Sequence, residues 1–206
     1  MVDRGKGDQI FITTTGVGLV PAGRALSVSA ARPGDRIIVS GTIGDHGMAI
    51  MSVREGLEFE TALESDTAAL NGLVGAMLGA CDAIRAMRDP TRGGVSSALN
   101  EIAAASRVGV DLVEKDVPLR DSVRAACEIL GLDPLYVANE GKLIAVVAPE
   151  RAEHLVGIMR QHPLGRDAAI VGEVVSEHRG SVVMRSVAGG SRIVPMLAGE
   201  QLPRIC

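Results

Sequence analysis

Aromatic residues are almost absent from this chain: Phe11, Phe59 and Tyr136 are the three, and there is no tryptophan. A surface that grips single-stranded nucleic acid by stacking is therefore excluded. Charge is nearly balanced, 21 Lys and Arg against 25 Asp and Glu for a net −4, which leaves no basic footprint for a polyanion. Cysteine is also scarce. The three, at 81, 127 and 206, are odd in number and widely spaced, and the opening residues hold no secretory core, so reduced thiols in a cytoplasmic protein are expected. No uncharged stretch, Thr67 to Cys81 included, reaches the roughly 18 residues that a bilayer span needs, and no membrane partner is expected. A cysteine at the very last position does not match a prenylation box, in which it stands fourth from the end.

Familiar nucleotide and metal motifs are missing too. Lys6 and Lys142 each follow a glycine, but neither precedes Ser or Thr, so there is no P-loop. Gly16-x-Gly18 lacks the third glycine of a dinucleotide fingerprint, because Pro21 stands in its place. CxxC and HExxH are absent and His46, His154, His162 and His178 are scattered, so no metal site is expected.

Glycine is abundant, 25 residues, about 12% of the chain against a typical value of about 7%. Strands are predicted over Gln9–Thr15, Arg36–Ser40, Val108–Val113, Lys142–Ala148, Ile170–Val175, Ser181–Met184 and Arg192–Val194. The run KLIAVVA, 142–148, is apolar throughout, as in a strand buried on both faces. Helices are predicted from GDHG to about Gly56, and after a Ser65-Asp66 cap with Leu70, Leu73, Val74, Met77, Leu78 and Cys81 on one face. Others are expected after DPTRGG with Val95, Leu99, Ile102 and Ala103, over Arg120–Leu130 with Gly131 as stop, and from Pro149 to His162-Pro163. Cys81 reads as buried filler, and Cys127 lies on or near the packed side of its helix. Helices alternate with strands early and strands cluster late, which favours an α+β fold with a mixed β-sheet flanked by α-helices.

Three segments carry candidate chemistry. DPTRGG, with Asp89, Thr91, Arg92, Gly93 and Gly94, sets a carboxylate, a hydroxyl, a guanidinium and two glycines at the mouth of a helix. Backbone N–H groups there favour anions and the glycines allow a phosphate to come close, although an ordinary helix capped by Asp or Thr accounts for the same residues. GDHG, with Asp45, His46 and Gly47, repeats that design after a strand. In ANEGK, Glu140 and Lys142 are two apart before the most apolar strand. A carboxylate there suits proton transfer, and a strand-edge salt bridge between the two is the alternative that the spacing favours. The chain closes on PRIC, and seven residues from Gly199 to the thiol of Cys206 reach at most about 23 Å, like a carrier arm; a chance terminal cysteine is the other reading.

Taken together, GDHG, DPTRGG, ANEGK and the closing PRIC make the chain resemble the HypE family of hydrogenase maturation proteins, from Met1 to Cys206. That family is similar in turn to aminoimidazole ribonucleotide synthetase, selenophosphate synthetase and thiamine-monophosphate kinase, which use ATP. The resemblance implies that a HypF carbamoyltransferase loads the thiol of Cys206. An ATP-dependent dehydration then turns the S-carboxamide into a thiocyanate, the source of the cyanide ligands of nickel–iron hydrogenase, delivered to a HypC–HypD complex. It implies Glu140 as the base, Asp89 to Gly94 and Asp45 to Gly47 as the phosphate-facing loops, Mg2+ with the ATP, and a homodimer. The family carries a further N-terminal domain that supplies most nucleotide and magnesium ligands, so this chain resembles its C-terminal part. Residues 1–30 are then expected to be a remnant of the N-terminal ATP-binding domain and linker, 31–197 a synthetase-like domain, and 198–206 a tail bearing the thiol. Two alternatives remain: a non-enzymatic module that presents its tail to other maturases, and another ATP-dependent synthetase or kinase of the same superfamily.

Overall fold

A computed structural model describes residues 15–20, 23–56 and 63–199. The chain runs β1 (Arg36–Val39), α1 (Asp45–Glu55), α2 (Asn71–Ala80), β2 (Ile84–Arg88), α3 (Gly94–Ser106), β3 (Gly109–Val113), α4 (Asp121–Leu130), β4 (Ile144–Val147), α5 (Pro149–Gln161), β5 (Ala169–Val175), β6 (Val182–Arg185) and β7 (Ser191–Ile193). Short 3-10 turns follow at Glu114–Asp116, Pro134–Tyr136 and Pro163–Gly165. The seven strands form one sheet in the order β2-β4-β1-β5-β3-β6-β7. All neighbours are antiparallel except β3 and β6, so the sheet is mixed, as expected of the α+β class.

Alternation along the central strands divides the core in two. Ile37 and Val39 of β1 and Ile144 and Val146 of β4 pack with Val95, Leu99 and Ile102 of α3. Ile38, Ala145 and Val147 face the other way, against Leu73 and Met77 of α2 and Leu155 and Met159 of α5. Every residue of β4 is buried, which is why its sequence shows no polar alternation. A third cluster joins α1 and α4 through Met48, Met51, Val123, Ala126 and Cys127.

Three expectations change. The helix predicted after Ser65-Asp66 begins only at Asn71, with no side-chain cap, and Cys81 lies just beyond its end while still buried with Leu73 and Met77. β2 went unpredicted because IRAMR reads as polar. Its arginines are paired instead, Arg85 with the buried Asp35 at 2.9 Å and Arg88 with Glu101 at 3.0 Å. The strand at 142–148 shortens to Ile144–Val147. The strand expected over Gln9–Thr15 falls, but for its last residue, outside the described residues, as do residues 200–206 with Cys206.

Sheet order places the candidate segments side by side. Val39, at the end of β1, and Arg88, at the end of β2, both pair with Ile144, at the start of β4. The loops that leave β1 and β2 and the loop that enters β4 therefore emerge at one edge of the same strand.

Candidate functional site

Asn139 holds these three loops together. Its side chain, in a residue only 1% exposed, accepts the Gly44 N–H at 2.8 Å and donates to the carbonyls of Pro90 and Val137, each at 3.0 Å. Its own N–H donates to Pro90 at 3.2 Å, and the Gly47 N–H donates to the Ala138 carbonyl at 3.1 Å. A buried amide with every group engaged is a rigid joint, because opening it would strand polar atoms away from water.

Both helix mouths start on glycine in the left-handed conformation. Gly44 has φ 79°, Gly93 φ 70° and Gly94 φ 61°, and neither α1 nor α3 has a side-chain cap. The capped-helix account of DPTRGG is thus replaced by a glycine entry, which leaves Asp89 and Thr91 for other contacts. Two glycines are also required for space. A Cβ on Gly47 would lie 2.4 Å from Val137 Cγ1, and one on Gly94 would lie 2.4 Å from the Leu135 carbonyl oxygen. These glycines let the GDHG and DPTRGG loops close onto the 135–138 backbone.

The side chains of the candidate residues differ sharply in setting. Asp45 is buried, accepts the Thr42 hydroxyl and faces Arg120 at 3.4 Å. His46 is also buried; its Nδ1 contacts the Ser65 hydroxyl at 2.8 Å, while Nε2 has no hydrogen-bond partner. Asp89 has a side chain 63% exposed, receives the Thr91 hydroxyl at 2.7 Å and pairs with Arg88. Burial works against its ionisation, but the hydrogen bonds from Thr91 and Arg88 outweigh it and hold the carboxyl below the usual range. Arg92 is exposed at the same loop.

Glu140 is half-buried and its Oε1 is sequestered from solvent without a hydrogen-bond partner. The salt bridge expected between Glu140 and Lys142 is not formed. Lys142 Nζ instead pairs with Asp66 Oδ2 at 3.0 Å, because the segment before α2 crosses the loop at that point. Asp66 Oδ1 also accepts the Glu140 N–H at 3.2 Å. Ser65, Asp66 and Asn139 are site residues that sequence reasoning missed. Asp66 carried only a generic capping signal, and its partners lie over seventy residues away.

The last described residues arrive at the same place. Asn100 Nδ2 donates to the Val194 carbonyl at 2.9 Å, the Ser96 hydroxyl donates to Pro195 at 2.7 Å, and the Leu197 N–H reaches Ser97 Oγ at 3.4 Å. Leu197 Cβ lies 3.3 Å from where a Cβ on Gly93 would stand. The chain therefore departs toward Cys206 from beside the DPTRGG loop.

Among the described residues no group of three or more His, Cys, Asp or Glu side chains is arranged to hold a metal ion, and no helix is long and apolar enough to cross a membrane.

Comparison with known proteins agrees with this geometry. Carbamoyl dehydratase HypE of Azotobacter vinelandii is 62% identical over 206 residues, which covers all of this chain and 60% of that protein. A crystal structure of hydrogenase maturation protein HypE in complex with ATP matches with TM-score 0.84 and 48% identity over 88% of this chain and 55% of the other. A HypE–HypF complex matches with TM-score 0.81 and 46% identity over 85% of this chain and 57% of the other. The chain thus spans about 60% of the length of the curated relative. Residues 32–185 match the family described as AIR synthase related protein, C-terminal domain, and to that family the chain belongs.

Proposed function

We propose that this chain is the thiol-bearing part of an ATP-dependent carbamoyl dehydratase that converts an S-carboxamide on Cys206 into a thiocyanate for hydrogenase assembly. The observation that carries the reading is the meeting of the Glu140 loop, two glycine helix entries and the departure point of the tail at one end of the sheet. Cys206 lies nine positions beyond Leu197, so the thiol can reach about 30 Å from that point, at about 3.3 Å per residue.

In this reading ATP supplies the phosphoryl group that makes the amide oxygen a leaving group. The nitrogen of the carboxamide must lose both of its protons as the C≡N bond forms and phosphate departs. Glu140, with an unpartnered carboxylate oxygen, takes one proton from that nitrogen, and the departing phosphate carries away the other. The loops that open α1 and α3, with Thr91 and Arg92, face the phosphates, while the Gly44, Gly47 and Gly94 N–H groups are spent on Asn139, Ala138 and Thr91 within the protein. Mg2+ enters with the nucleotide and its remaining ligands come from outside this chain. A HypF-type carbamoyltransferase loads the thiol, a HypC–HypD complex receives the product, and the whole protein works as a homodimer in the cytoplasm.

Mass spectrometry of Cys206 tests the proposal. After incubation with HypF, carbamoyl phosphate and ATP, the terminal peptide is expected to gain a carbamoyl group, then to lose one water when the nucleotide-binding part is supplied. An unmodified Cys206 under conditions that load a HypE control overturns it. A thiol that is loaded but never dehydrated favours the tail-presenting module instead, the second reading left open because the chain spans only part of its relatives.

A further inference from the structure

Lys142 stands two residues from the candidate base, and an ammonium against Glu140 would pin its carboxylate in the ionised form and weaken it as a proton acceptor. The structure commits that lysine elsewhere. Its side chain, 12% exposed, is paired with Asp66, whose side chain is 4% exposed, and its stem lies along Gly41, where a Cβ would come within 3.1 Å of Lys142 Cε. Asp66 is itself held by a strap: Ser65 Oγ contacts His46 Nδ1 and Thr67 Oγ1, each at 2.8 Å. The strap can cross only because residue 141 is glycine, since a Cβ there would lie 1.7 Å from the Asp66 carbonyl oxygen. Gly141 and Lys142 of the ANEGK segment therefore both serve to seat Asp66, and Glu140 Oε1 is left without a hydrogen-bond partner.

We propose that Asp66 is a positioning residue for Glu140: it fixes the loop through the Glu140 N–H and sequesters Lys142, so that the carboxylate stays available to substrate. This rests on the reading of Glu140 as the base, and the test separates the two. In the chain labelled with carbon-13 at the glutamate carboxylates, the Glu140 resonance is assigned by its loss in Glu140→Gln. Asp66→Asn keeps an acceptor for the Glu140 N–H but releases the lysine, and the resonance is expected to shift. In the double variant Asp66→Asn with Lys142→Met it returns to the parent position, whereas Lys142→Met alone leaves it in place. An unmoved resonance in Asp66→Asn, or an equal shift in the double variant, overturns the proposal. If Asp66→Asn does not fold, Lys142→Met decides, since a shift there would show that the lysine already engages Glu140. In the dehydration assay Asp66→Asn is expected to lower kcat by about tenfold or more at unchanged KM for ATP, with recovery in the double variant. Glu140→Gln at parent rate would overturn the base assignment while leaving the resonance result intact.

Discussion

The buried Asn139 side chain accepts the Gly44 N–H at 2.8 Å across 95 residues of sequence, while its amide nitrogen donates back to Pro90. One neutral side chain thus fixes the distance between two glycine helix entries. Asn139→Ala leaves the Gly44 N–H and the Pro90 and Val137 carbonyls short of partners, and is expected to cost about 2–4 kcal/mol in urea unfolding at neutral pH. A loss below about 1 kcal/mol would mean that water takes over these bonds and that the joint is not rigid.

Glycine substitutions should divide by position. Gly94→Ala meets backbone oxygens and a φ of 61°, so a destabilisation of at least about 2 kcal/mol is expected. Gly75→Ala, on the exposed side of α2 with nothing within 4 Å, is expected to stabilise by about 0.4–1 kcal/mol. Thermal melting of the two variants checks both signs.

Burial, with Asp133 and Glu128 adding to it, pushes the Cys127 thiol up to about 11. The folded state therefore holds a proton that the unfolded chain releases near its ordinary value of about 8.5. The sign follows: this contribution to stability is present below about 8.5 and is lost as pH rises toward about 11. In the native chain at pH 8, Cys81 and Cys127 are expected to resist alkylation until denaturant is added. Rapid labelling of either under native conditions would contradict their burial.

Asp89 should behave in the opposite sense. Its folded carboxyl is held low by Thr91 and Arg88, so its contribution is present above the ordinary carboxylate range and lost as pH falls through the depressed value. Removing the hydroxyl with Thr91→Val is expected to raise the Asp89 titration midpoint in an NMR titration. An unchanged midpoint would show that the hydrogen bond is not formed in solution.

The start of the tail offers a separate handle. Ser97→Ala removes the acceptor of the Leu197 N–H, and Asn100→Leu strands the Val194 carbonyl. Faster amide hydrogen exchange at Leu197 is expected in Ser97→Ala, together with slower dehydration at Cys206 once the thiol is loaded. Parent-like exchange would mean that α3 does not anchor the departing chain.

Local pattern was enough for much of this protein. The helix starts at GDHG and DPTRGG, the doubly buried strand around 144–147 and the helix that starts on Pro149 follow from neighbouring residues, because conformation and periodicity are set within a few positions. Resemblance carried by four short segments added the family. Tertiary structure decided the rest. It made β2 a strand by giving Arg85 and Arg88 carboxylate partners, and it moved Lys142 from Glu140 to Asp66. It also brought Gly44, Pro90 and Asn139 together through the order β2-β4-β1. Apart from Arg88 and Glu101, 13 residues apart, such choices are made between groups about 50 to 95 residues apart, competing for burial and hydrogen bonds that no local spacing encodes.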